Sequence, residues 1–183
     1  MGFIIIAGQA NNNMAVLKID PDVVSTASPV PIQFRSGGAN SITLQIIPSQ
    51  PDNIFLAGTS GGQLTVLKLT PSLVLDKTFG KPEVPGPGFS GVFQDTVMTQ
   101  ANDIVLDSAG NILIAGTTSN QMAMRRYQPD GSFINASINS TTISFPPPLS
   151  PPPYVANRII LDGFKIVLGG NVGTGMGMAR LHP

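Results

Sequence analysis

Short apolar runs alternate along the chain with clusters of turn-forming residues, and four of those runs align without gaps. They are Ile4-Ile-Ile-Ala-Gly8, Ile54-Phe-Leu-Ala-Gly58, Ile112-Leu-Ile-Ala-Gly116 and Ile166-Val-Leu-Gly-Gly170. With Ala7, Ala57, Ala115 and Gly169 as anchors, the intervals are 50, 58 and 54 residues. Seven positions after each anchor stands Met14, Leu64, Met122 or Met176. Eleven after it comes a base, and fourteen after it Pro21, Pro71, Pro129 or Pro183. A register kept through every copy marks an internal repeat. Three copies carry a second element before the anchor: Ala39-Asn-Ser-Ile-Thr-Leu44, Ala101-Asn-Asp-Ile-Val-Leu106 and Ala156-Asn-Arg-Ile-Ile-Leu161. Turn formers separate the two elements, as in Asp107-Ser-Ala-Gly-Asn111 and Asp162-Gly163. Aliphatic and β-branched runs joined by such turns predict antiparallel hairpins rather than helices.

Each module therefore reads as four strands. The Ala-Asn strand comes first, the anchor strand second and the strand bearing the base third. A fourth follows the proline, near Pro31–Ser36, Gly91–Thr96 and Ser140–Phe145. In the third strand Met14, Val16 and Lys18 share one face, with Ala15, Leu17 and Ile19 on the other. Anchor strands that are apolar throughout call for cover on both faces. Four-stranded units stacked face to face make an all-β propeller, here of about 3.5 repeats of roughly 54 residues within one domain, 1–183. The modules run over 1–38 (without a first strand), 39–100, 101–155 and 156–183 (without a last strand), fourteen strands in all. A β-sandwich of hairpins is the rival architecture, and it does not account for the constant third-strand register.

The string from Ala101 through Gly116, continued by Met122-Ala-Met-Arg-Arg-Tyr-Gln-Pro-Asp-Gly131, resembles the bacterial delta-60 repeat. Leu75-Asp-Lys-Thr-Phe-Gly80 is similar to that family's Leu-Asp-x-x-Phe-Gly segment. The first copy departs from the pattern in its longer connection at Gln45–Asn53, and the fourth stops at Pro183. The resemblance implies a β-propeller module of unknown function in bacterial surface or secreted proteins. It implies no activity.

Composition adds an assembly problem. Hydrophobic residues are 42% of the 183 and charged residues only 11%, against a usual charged share of roughly a quarter. With so little polar surface, either strands are buried on both faces or subunits cover one another. Leaving a few hundred Å² of apolar end face in water costs on the order of 10 kcal/mol, comparable with a domain's whole stability. The expectation is a homodimer that completes the ring. Gly 20 and Pro 17 fit a chain of many turns.

Ten basic and ten acidic residues balance to zero, and the only adjacent basic pair is Arg125–Arg126. That argues against nucleic acid and against a polybasic membrane surface. No run reaches membrane-spanning length, so no membrane insertion is expected. The start, Met1-Gly2-Phe3-Ile4-Ile5-Ile6, has no basic n-region for a signal peptide and has Ile6 where myristoylation needs Ser or Thr. Without cysteine there is neither a disulfide nor a thiolate zinc site.

Candidate chemistry is sparse. The repeated bases Lys18, Lys68, Arg126 and Arg180 would either ring a channel and gather an anion, or lay their stems between blades and pair with nearby carboxylates and carbonyls. Their recurrence in every module favours the structural duty. Asn40, Asn102 and Asn157 are expected to satisfy backbone groups at a turn entering the first strand. His182, the single histidine, stands next to the last residue and has no evident orienting partner. Asp20, Asp107, Asp130 and Asp162 mark strand ends, without the alternating acidic density of a calcium loop. Pro146, Pro148, Pro151 and Pro153 lie in a polyproline segment with PxxP spacing, readable as a ligand for an SH3-like or WW-like partner or as a stiff connector. Asn135 and Asn139 begin glycosylation triplets that matter only in a eukaryotic secretory setting.

The reading that follows is a non-enzymatic scaffold for protein or ligand binding and self-assembly, with no cofactor and no catalytic or metal residues. One rival is a channel-centred, metal-assisted hydrolase or lactonase-like propeller enzyme, which would gather three or more Asp and Asn side chains at the ring axis. Another is a piece of a larger surface or secreted repeat protein.

Overall fold

The structure, a computed structural model, describes residues 3–19, 30–46, 52–80, 91–134, 140–143 and 153–182, with 30–36 and 140 described as backbone alone. Among these residues there are thirteen strands and no helix. They are β1 (Ile4–Ala10), β2 (Asn13–Ile19), β3 (Val30–Gln45), β4 (Asn53–Ser60), β5 (Gln63–Leu69), β6 (Val92–Asp95) and β7 (Gln100–Leu106). β8 (Ile112–Thr118), β9 (Gln121–Tyr127), β10 (Ser140–Ile143), β11 (Tyr154–Asp162), β12 (Lys165–Val172) and β13 (Gly175–Leu181) complete them. All pairings are antiparallel, and the sheet orders are β1-β2-β3-β4-β5-β6, β10-β9-β8-β7 and β11-β12-β13.

Among the described residues the fourteen expected strands become thirteen, because two of them are one. β3 is 16 residues long. Its first part pairs with β2 up to Ser36, and from Gly37 onward it pairs with β4. Gly37 stands at the changeover, where a Cβ would meet the Thr59 carbonyl at 2.2 Å. The six-stranded sheet is thus two layers sharing a strand, the second of them four-stranded like β7–β10. Four layers result.

Each second strand turns into its third through a two-residue hairpin. Asn11 and Asn12, Gly61 and Gly62, and Ser119 and Asn120 all hold positive φ at both central positions. That turn matches the right-handed twist of the flanking strands. The Ala-Asn element, by contrast, lies within a strand. Register shifts fall between Ala39 and Ser41, Ala101 and Asp103, and Ala156 and Arg158, so Asn40, Asn102 and Asn157 are bulge residues and not turn residues.

Three cores lie between successive layers. Met14 and Val16 share the first with Ile54, Leu56, Leu67 and Leu69. Leu64 and Val66 share the second with Ile112 and Ile114. Met122 and Met124 share the third with Ile166 and Leu168. The second core also contains Phe55, Phe79, Phe93 and Tyr127, which contact one another ring to ring at centroid spacings of 4.4–6.0 Å. β8, covered on both faces, is buried at every residue. β1 has the same kind of sequence but belongs to an end layer, and its burial alternates along its first residues.

Candidate functional site

Strand direction sorts the polar side chains onto two rims. The bases eleven residues after each anchor sit opposite Ile5, Phe55, Leu113 and Val167, near the turns that join first strands to second. The hairpins between second and third strands form the other rim. No charged residue occurs at their tips, which read Ala10–Asn13, Ser60–Gln63, Thr118–Gln121 and Val172–Gly175.

On the first rim every repeated base has a partner. Lys18 donates from Nζ to the Pro71 carbonyl at 3.1 Å and lies 3.9 Å from the Phe3 ring centroid. Lys68 pairs with Asp76 at 2.9 Å, its Nζ 5.6 Å from the Phe55 ring centroid. Arg126 pairs with Asp107, and Arg180 pairs with Asp162 at 2.5 Å. Burial raises the Asp76 carboxyl, but hydrogen bonds from Thr78 and Lys68 and the lysine's charge outweigh it, bringing the pKa from 3.8 to about 2. Burial likewise acts upward on Asp107 and is outweighed by the Asn111 amide, Arg126 and the backbone N–H groups of Asn111 and Ala109, so its pKa is lowered. Asp107 thereby closes its own turn.

Two carboxylates that sequence reasoning did not single out join the layers. Asp95 of β6 is buried, and it accepts from Arg125 and the Tyr127 hydroxyl of β9 and from Val97 N. Asp103 of β7 is buried too; it accepts from Ser41 Oγ of β3 at 2.7 Å and from Ile159 N of β11 at 3.0 Å. Asp103 therefore touches three layers. In the sequence Asp103 is an acidic residue ahead of the aliphatic end of its strand and Asp95 one at the end of a short strand. Burying either costs several kcal/mol unless it is partnered (roughly 3–5 once a partner is removed).

The bulged asparagines also work between layers. Asn40 Nδ2 donates to the Ala101 carbonyl at 2.7 Å, and Asn102 Nδ2 to the Ala156 carbonyl at 2.9 Å. Asn157, in the last layer, donates instead to Asn171 Oδ1 at 3.2 Å within its own sheet. Beside this ladder, on the neutral rim, lies an open cleft of about 540 Å³ lined by Gln9, Gly38, Asn40, Thr59, Thr99 and Gln100. Its amides, hydroxyls and backbone groups can exchange hydrogen bonds with an uncharged polar group. None of its lining side chains titrates near neutral pH.

His182 follows β13 and is exposed. Pro153 is exposed just before β11, while Pro146, Pro148 and Pro151 lie outside the described residues, as do Asp20, Asn135 and Asn139. Among the described residues no three His, Cys, Asp or Glu side chains gather as they would around a metal ion. No helix among them is long and apolar enough to cross a membrane.

A family model described as a domain of unknown function (DUF5122) beta-propeller matches residues 110–133. That stretch takes in β8, β9 and the Pro129-Asp130-Gly131 turn. No curated protein and no solved structure matches the chain. The chain is thus an all-β repeat protein, similar over that stretch to a β-propeller-type repeat family.

Proposed function

We propose that this chain is a non-enzymatic propeller scaffold of the delta-60 repeat kind, binding a protein or small ligand and associating with itself. The observation that carries the reading is the use made of its charges. The repeated bases and their carboxylates are spent on one another or on backbone carbonyls of the scaffold, and Asp95 and Asp103 are spent on joining layers. The modules are taken as 1–38, 39–100, 101–155 and 156–183 of one domain, and the first boundary falls inside β3, close to where its pairing partner changes. Recognition belongs on the neutral rim and its cleft, whose uncharged groups suit a protein loop or a neutral polar ligand better than nucleic acid. A bacterial surface or secreted setting follows from the family resemblance.

The reading is tested by offering the purified chain ester, lactone and phosphoester substrates with calcium, magnesium, manganese or zinc. No turnover above the buffer rate is expected. Turnover that scales with protein and is lost on unfolding it would overturn the scaffold reading in favour of the metal-assisted hydrolase.

A further inference from the structure

We infer that two copies of this chain associate head to tail, each placing the open face of its β11–β13 layer on the open face of the other's β1–β2 layer, so that two such contacts close one ring. This rests on the scaffold reading and adds to it the partner and the contact surface.

The chain contains three worked examples of the contact. In each module one face carries the residues seven and nine after the anchor; call it the leading face. The opposite, trailing face carries the residues three and one before the anchor. Every internal core joins a leading face to the next layer's trailing face. Leading residues are essentially closed to water there: Met14, Leu64 and Met122 are each 0% exposed. Trailing residues are closed as well, with Ile54, Ile112 and Ile166 at 1%, 0% and 6%.

The same positions at the two ends of the stack are open. Met176 and Met178 on the last leading face are 95% and 73% exposed. Ile4 and Ile6 on the first trailing face are 52% and 48% exposed. Apolar residues grouped on one sheet face, rather than scattered, mark an interaction surface. Three internal contacts already fix what a leading face fits, and it is a trailing face. The chain carries one of each unoccupied. Among the described residues no leading face packs on another leading face.

A contact between unlike faces forms either a closed ring or an open filament. Two copies supply eight layers, within the range of about 4–8 blades over which propellers close. Closure by two copies leaves neither face in water.

The test is mass in solution. Light scattering on the full chain at micromolar concentration should give twice the 19.1 kDa of one copy. Met178→Glu spoils both leading faces of the ring and Ile6→Glu both trailing faces, so each variant alone should run as a monomer. Mixed in equal amounts they should recover a dimer, because one contact then joins an unaltered leading face to an unaltered trailing face. All these side chains are exposed, and circular dichroism checks that the variants stay folded; Met176→Gln and Ile4→Gln form a milder pair if they do not. A monomeric wild-type chain, a polydisperse filament, or variants that fail to complement on mixing would each overturn the inference. A monomer without turnover removes the self-association and leaves the non-enzymatic binding part of the scaffold reading standing, whereas turnover by a dimer sinks the non-enzymatic part and leaves the contact intact.

Discussion

Glycine ends the repeated part of every anchor strand, at Gly8, Gly58, Gly116 and Gly170, and for the last three the bulge beside it supplies the reason. A Cβ on Gly58, Gly116 or Gly170 would lie 1.8–1.9 Å from a backbone carbonyl of the first strand, that of Gly38, Gln100 or Val155. Gly8 meets nothing within 4 Å. Gly116→Ala is therefore expected to cost about 3 kcal/mol, since backbone must move to admit the methyl group. Gly8→Ala should stay within about 0.5 kcal/mol. Urea unfolding of the two variants decides it. The repeat of Ala-Gly was visible in the sequence, but its cause was not, because a bulge in one strand acts on a glycine in the next. At the same scale, Asp76 has a pKa of about 2 in the folded chain, against roughly 3.9 when unfolded. A depressed carboxyl stabilises the fold above its unfolded pKa, and that stability is lost as pH falls through the folded value. Between pH 6 and about 2.5 the urea midpoint of the wild type should fall further than that of Asp76→Asn.

At the level of elements, the period placed the anchor strands and the strands bearing the bases, and the fixed offsets told which residues share a face. Met14 with Val16 and Met122 with Met124 lie in the cores as that alternation requires. What the period missed were features in which one strand depends on another layer. Asn40 and Asn102 look like turn formers by residue type, yet each reaches the next layer from a bulge. Asp95 looks like the end of a short strand, yet it holds Arg125 and Tyr127 of the neighbouring sheet. Asp95→Ala leaves the largely buried Arg125 guanidinium without its counter-charge. A loss of about 3–5 kcal/mol is expected, read as a lower urea midpoint at unchanged slope.

For the whole molecule, stability is shared among three similar interfaces rather than lodged in one centre. In such stacks each layer depends on its immediate neighbours. The all-β class and the stacking of four-stranded units were legible because the repeat fixes which residues point between layers. The joining of two units through one strand was not, since Pro31–Ser36 and Ala39–Leu44 read as two separate strands with Gly37 and Gly38 as a break between them. That strand makes the stack unequal along its length. Wherever one layer gives way to the next through a segment outside the strands, an end layer can peel off and leave its neighbour's ladder intact. β3 permits no such parting between the first layer and the second, because the hydrogen bonds of both ladders are made by one unbroken backbone. The two layers are thereby bound into one cooperative unit, and amide exchange at β1 and β2 should follow that at β4 and β5 instead of running ahead of it.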